Sequence, residues 1–169
     1  MMLRALTLSA GLIGAAASSQ FPEYSQQYTQ RLGGAVDALA KVVADFDGSA
    51  AAVGLSREAA LDQMTGTAFL DRRRRDMQAT FARHDRLRAD LAALQGTGPF
   101  MRAYHAARMT DPQIAQATIE AYQPALPLTF AGLSFAGAGF VVAAGLFGLI
   151  LRLLAWPLRR RRKVAAKAA

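Results

Sequence analysis

The stretch that most constrains this chain runs from Leu126 to Leu151, where no residue carries a charge. At about 1.5 Å of rise per residue, a helix of that length crosses a hydrocarbon core of about 30 Å. Arg152, Trp156 and Pro157 close it, and the basic run Arg159, Arg160, Arg161, Arg162 and Lys163 follows. Such a run beside an apolar span acts as a stop-transfer signal. It also offers contacts to anionic lipid head groups, worth about 1 kcal/mol per residue near the surface. Inside the span, small residues recur. Gly132 and Ala136, and again Ala144 and Gly148, stand at the four-residue spacing that lets helices approach closely in lipid. Gly132, Ala136, Gly137, Ala144, Gly145 and Gly148 are therefore the candidate helix-packing residues, on a small-residue surface that also carries Gly139. The expected partner is the N-terminal apolar segment, a second copy of the chain or another protein.

Charge distribution orients this span. The chain has a formal net charge of +8. All twelve acidic residues lie between Gln20 and Pro124, where twelve basic residues balance them; the excess sits at the ends, on Arg4 and on the residues from Arg152 onward. Basic residues beside a span are retained on the cytoplasmic side, so the C-terminal tail is expected there and residues 20–124 on the far side, the periplasm in a bacterium. Nucleic acid is not an expected partner, because the basic run abuts a span and lacks the interleaved aromatics of a single-strand platform. With no cysteine in the chain, disulfides and thiolate metal sites are excluded.

Residues 1–19 contain Arg4 and then an apolar run from Ala5 to Ala17. One reading is a cleavable secretory signal, with small residues at Ala15, Ala17 and Ser19. The favoured reading is an uncleaved first transmembrane helix, whose Ala10, Gly14 and Ser18, or Gly11, Ala15 and Ser19, would allow close helix packing.

Beyond it, Pro22 suits the first turn of a helix. Tyr28, Leu32, Ala35, Leu39, Val42 and Phe46 then alternate at spacings of three and four, which is a heptad seam, interrupted by Gly33-Gly34. Asp47-Gly48-Ser49 and Val53-Gly54 mark its end. Ser56 is the expected N-cap of a short helix from Arg57 to Met64, and Thr65-Gly66-Thr67 a break. Leu70, Met77, Phe81, His84, Leu87 or Arg88, Leu91 and Leu94 give a second seam of similar length, so the two long helices are expected to pair as an antiparallel hairpin. Phe100, Met101, Tyr104, Ala107 and Met109 predict a short third helix, and Asp111-Pro112 is a strong start signal for a fourth.

The opening of this region, Ser19-Gln20-Phe21-Pro22-Glu23-Tyr24 with Gln27-Tyr28 and Gln30-Arg31-Leu32-Gly33-Gly34, resembles a bacterial inner-membrane protein family known only as a domain of unknown function. The resemblance implies two membrane helices with a helical segment between them. It supplies no site residues.

Arg72, Arg73, Arg74 and Arg75, bracketed by Asp71 and Asp76, are a candidate anion or partner contact. Consecutive helical residues point about 100° apart, so the four form no single patch and a solvated, ion-paired face is the plainer reading. Arg73 or Arg74 falls near the seam and is expected to snorkel, or to pair with Asp37 or Asp45. No catalytic motif is present: His84 and His105 belong to no His-Glu-x-x-His pattern, no Ser stands in a nucleophile elbow, and Gly137-Ala138-Gly139 lies inside the span. No cofactor and no metal are implied.

These observations predict an all-α membrane protein in which two transmembrane helices flank a coiled-coil-like antiparallel helical hairpin in the periplasm. Residues 1–19 form the first span or signal-like segment, 20–124 the helical domain, 125–156 the second span and 157–169 the cytoplasmic basic tail. The expected function is that of a non-enzymatic inner-membrane scaffold or accessory subunit. It would contact membrane lipids, and a protein partner or a second copy, through the hairpin and the Gly-rich helix. The alternative is an oligomeric transport or pore component, for which the span offers only Thr129 and Ser134 as polar residues.

Overall fold

The computed structural model describes residues 2–126 and 128–165, with side chains through Leu154. The described residues are helical throughout, with no strand among them. In order they are α1 (Met2–Ser19), α2 (Phe21–Ala52), α3 (Arg57–Gln63), α4 (Ala68–Leu94), α5 (Pro99–Tyr104), a 3-10 turn (Ala106–Arg108), α6 (Pro112–Glu120) and α7 (Phe130–Ala165). They divide into two compact units. One is built from Met1–Tyr24 and Gln123–Ala169, the other from Ser25–Tyr122.

In the Ser25–Tyr122 unit, α2 buries Ser25, Tyr28, Leu32, Val36, Val43 and Ala50. The expected Ala35 is only half-buried and Val42 is exposed. The step from Leu32 is four residues, to Val36, where a strict heptad would use three. That one-residue shift moves the seam, and Val36, Val43 and Ala50 then follow at seven-residue spacing. Gly48 does not end this helix. The stop is Gly54, at φ +74°, a left-handed conformation that glycine adopts without steric cost. The Leu55 N–H reaches Ala50 O at 3.0 Å and the Gly54 N–H reaches Ala51 O at 3.0 Å, the paired bonds of a Schellman end.

The return helix α4 starts at Thr67, whose hydroxyl accepts the Leu70 N–H at 3.2 Å. It buries Met77, Phe81, His84, Leu87, Asp90 and Leu94. Phe46 meets Phe81 edge-on at 5.2 Å between ring centroids. Farther along, Val36 and Ala40 of α2 share an open cleft of about 450 Å³ with His84, Arg88 and Leu91 of α4. Residue numbers fall on α2 as they rise on α4, so the two helices run antiparallel. Val43, Leu61, Met77 and Phe81 form a core cluster at the end where α3 connects them. Ser56 caps α3 by accepting the Ala59 N–H at 3.2 Å. Arg57 at its first position makes a two-pronged ion pair with Asp47 and lies 4.7 Å over the Phe81 ring.

The expected third helix is shorter and more exposed than its pattern implied. α5 ends at Tyr104, the 3-10 turn follows, and neither buries a residue. His105, with φ −90° and ψ 19°, leaves the α region and breaks the run.

In the other unit, α1 and α7 pack along their length. The apolar helix starts at Phe130, later than the expected Leu126, because the Thr129 hydroxyl accepts the Gly132 N–H at 3.0 Å and so caps it there. Segments within Met2–Ala52 and at Phe130–Leu154 are long and apolar enough to cross a membrane. The α7 backbone continues helical through Ala165. Arg159, Arg160, Arg161, Arg162 and Lys163, the expected head-group contacts, have side chains outside the described residues, as does Trp156.

Candidate helix-packing and partner-binding sites

The contact between α1 and α7 is made through missing side chains. A Cβ on Gly11 would stand 2.6 Å from the Phe140 ring, and one on Gly14 would meet the Ala143 methyl and, at 2.7 Å, the Gly139 carbonyl oxygen. A Cβ on Gly139 would meet the Ser18 hydroxyl and, at 2.5 Å, the Gly14 carbonyl oxygen. Real side chains do not tolerate such approaches, so the helices lie this close only because glycine stands at all three positions. At the other end a Cβ on Gly148 would sit 3.8 Å from Thr7, an ordinary contact. Ser18 therefore lies level with Gly139, Gly14 with Ala143 and Thr7 with Gly148, a regular antiparallel register.

The six candidate packing residues fall on two faces. Gly132 is buried, Ala136 and Ala144 are half-buried, and Gly148 faces Thr7. Gly137 and Gly145 stand outside the close contact: a Cβ at either would meet nothing within 4 Å, and Gly145 lines an open cleft beside it. Four-residue spacing alone could not divide them, because the face is fixed by which row meets the partner, and that row passes through Gly139. Gly139, Phe140 and Ala143 carry the contact and stand outside the predicted set. The legible signal was on α1: the rows through Gly11 and Gly14 match the rows that pack.

Where the chain leaves the helix pair, a side-chain amide ties it down. Gln20 donates from Nε2 to Ala125 O and accepts the Ala125 N–H at Oε1, both at 3.2 Å. Phe21 lies against Phe135 with 5.2 Å between centroids and the rings tilted by 34°.

The arginine run on α4 forms no patch. Arg72 pairs with Asp76 at 3.2 Å, one helical turn on, and both are largely exposed. Arg73 reaches one turn forward along its own helix to Met77 Sδ at 4.0 Å, and Arg75 is exposed. Among the described residues, no ion pair joins Arg73 or Arg74 to Asp37 or Asp45. The carboxylates the run was expected to meet stay out of reach because the one-residue shift of the α2 seam buries Val36 and Val43 in their place. Asp37 and Asp45 are exposed.

A different acidic residue gathers arginines. Asp111, with a side chain only 5% exposed, accepts from Arg83 at 3.2 Å and lies 3.8 Å from Arg86, both on α4. The same carboxylate caps α6, accepting the N–H groups of Gln113 and Ile114 at 3.2 and 3.1 Å. The Asp111 N–H donates to the Tyr28 hydroxyl of α2 at 3.2 Å. Its capping role was legible from Asp-Pro. Its role as the joint of three helices was not, because Arg83 and Tyr28 are distant in sequence. Asp90 repeats the theme with Arg108 at 3.3 Å. His84 is buried with Nδ1 3.2 Å from Asp85 Oδ1. No group of three His, Cys, Asp or Glu able to hold a metal is present among the described residues.

No curated protein and no solved structure matches the chain. Residues 2–160 match the family described as Protein of unknown function (DUF2937), and the chain belongs to that family.

Proposed function

We propose that this DUF2937 member is a non-enzymatic membrane protein that presents a helical body to a protein partner from a two-helix anchor. The observation that carries this reading is the glycine-mediated packing of α1 on α7. An N-terminal segment fitted to its partner helix at Gly11, Gly14 and Ser18 supports retention of α1 as a span and argues against a cleaved signal. Two antiparallel spans return both ends of the chain to one side and leave Ser25–Tyr122 on the other. Arg4 and Arg152 stand at the same end of the pair, which favours the cytoplasm for that end and the periplasm of a bacterium for the helical body.

The partner-facing role is supported by apolar side chains left in solvent where α2 passes through α3 to α4. Val53, just after α2, is 70% exposed and Phe69, in the first turn of α4, 71% exposed.

The test is twofold. Alkaline phosphatase fused after residue 60 should be active and the same enzyme fused at the C-terminus inactive; the reverse pattern overturns the orientation. Affinity purification from native membranes should recover a stoichiometric protein partner that Val53→Asp with Phe69→Asp releases. A chain that purifies alone from cross-linked membranes contradicts the interaction role.

A further inference from the structure

Beside the α1–α7 contact, at its Arg4–Arg152 end, lies an open cleft of about 930 Å³, lined by Leu3, Arg4, Thr7, Gly145, Gly148 and Arg152 among others. The lining is apolar apart from Thr7 and the two arginines. Thr7 turns its hydroxyl back onto Leu3 O at 2.9 Å, which leaves its methyl group for the cleft. Neither Arg4 nor Arg152 has a carboxylate within ion-pair distance among the described residues, and α1 and Phe130–Leu154 contain no Asp or Glu to supply one. The register that sets Ser18 level with Gly139 and Thr7 with Gly148 sets Arg4 level with Arg152.

We propose that this cleft is a binding site for one anionic phospholipid, with an acyl chain lying over Gly145 and Gly148 and the head-group phosphate held between Arg4 and Arg152. The glycines make the room. A Cβ on Gly145 meets nothing within 4 Å, so this side of α7 is recessed although it faces the cleft. The two guanidiniums supply what the chain itself lacks at this end, a counter-charge, and their forked donors match a phosphate in geometry. An apolar trough ending in two unpaired cations at the edge of a span is complementary to a lipid that carries the opposite charge on an apolar stem. The site is distinct from the basic run Arg159–Lys163, and it rests on the membrane-spanning part of the proposed function, not on the protein partner.

The experiment is native mass spectrometry of the full-length chain in detergent, titrated with phosphatidylglycerol or with phosphatidylcholine. The wild type should retain one phosphatidylglycerol in preference to phosphatidylcholine. Arg4→Gln combined with Arg152→Gln should weaken that retention roughly thirty-fold, equivalent to about 2 kcal/mol for two cations near the surface. Gly145→Leu, which fills the trough from a position where a Cβ meets nothing within 4 Å, should abolish retention of this lipid while both arginines remain. Replacing Arg159, Arg160, Arg161, Arg162 and Lys163 with Gln should leave it in place. Retention unchanged by the double arginine variant, or lost only with the tail variant, overturns the proposal. Equal retention of phosphatidylcholine overturns it as well. A chain released from membranes by alkaline carbonate removes the membrane reading itself; an integral chain without the lipid preference removes only the lipid site.

Discussion

Gly14 and Gly139 each face the other's carbonyl oxygen across the α1–α7 contact: a Cβ on Gly14 would come 2.7 Å from Gly139 O, and one on Gly139 would come 2.5 Å from Gly14 O. On the proposed membrane reading, this reciprocity is what holds a short N-terminal helix where association has no hydrophobic drive. In lipid the gain comes from close packing and from backbone C–H contacts to carbonyl oxygens, both of which need small residues.

Adding a single methyl group should therefore separate the faces of α7. Gly139→Ala is expected to weaken the helix pair by about 1–3 kcal/mol, the usual cost of overpacking. Gly137→Ala and Gly145→Ala meet open space and should stay within about 0.5 kcal/mol of the wild type. Thermal unfolding of the purified chain in one detergent ranks the three. Equal loss at Gly137 and Gly139 would show that α1 lies elsewhere.

The joint at Asp111 should dominate the stability of the Ser25–Tyr122 unit. Asp111→Ala removes the α6 cap and leaves Arg83 and the N–H groups of Gln113 and Ile114 without their acceptor, an expected loss of about 2–4 kcal/mol. Tyr28→Phe keeps the packing of a fully buried ring and removes the bond from the Asp111 N–H, an expected loss of about 1–2 kcal/mol. Denaturant melts followed by circular dichroism read both. A Tyr28→Phe loss as large as that of Asp111→Ala would contradict this division.

Acid should weaken the connection of α2 to α3 through Asp47. Its hydrogen bond from Arg57 holds the carboxyl below the usual carboxylate range. A depressed folded-state pKa contributes stability that is complete above the unfolded value, near pH 4, and is lost as the pH falls through the folded value. The melting difference between wild type and Asp47→Asn should be constant from neutral pH down to about 4 and shrink below it. A difference that grows on acidification would reverse the assignment.

The elements were largely legible in the sequence because their signals are local. Ser56, Thr67 and Asp111 cap where capping chemistry places them, and Gly54, Gly66 and Gly96 take the positive φ that turns demand. Seam assignment failed where a choice of one residue decided it. Ala35 and Val36, or Val42 and Val43, are equally apolar neighbours, and only the partner helix selects between them. The packing face of α7 was obscured for the same reason. Small residues surround much of that helix, and Gly139 is distinguished from Gly137 only by the presence of Gly14 and Ser18 opposite. Asp111 gathers Arg83, Arg86 and Tyr28 through the tertiary fold, which no spacing rule encodes.

The central claim, that α1 is retained and lies antiparallel on α7, is tested most directly by a disulfide between the two helices. The chain has no cysteine, so Thr7→Cys with Gly148→Cys introduces one pair, at positions where a Cβ on Gly148 stands 3.8 Å from the Thr7 methyl carbon, within the reach of a disulfide. Oxidation in native membranes, followed by proteolytic cleavage between residues 53 and 67, should leave the two fragments joined until a reductant is added. Fragments that separate without reductant, or a mature chain lacking residue 7, would contradict the account.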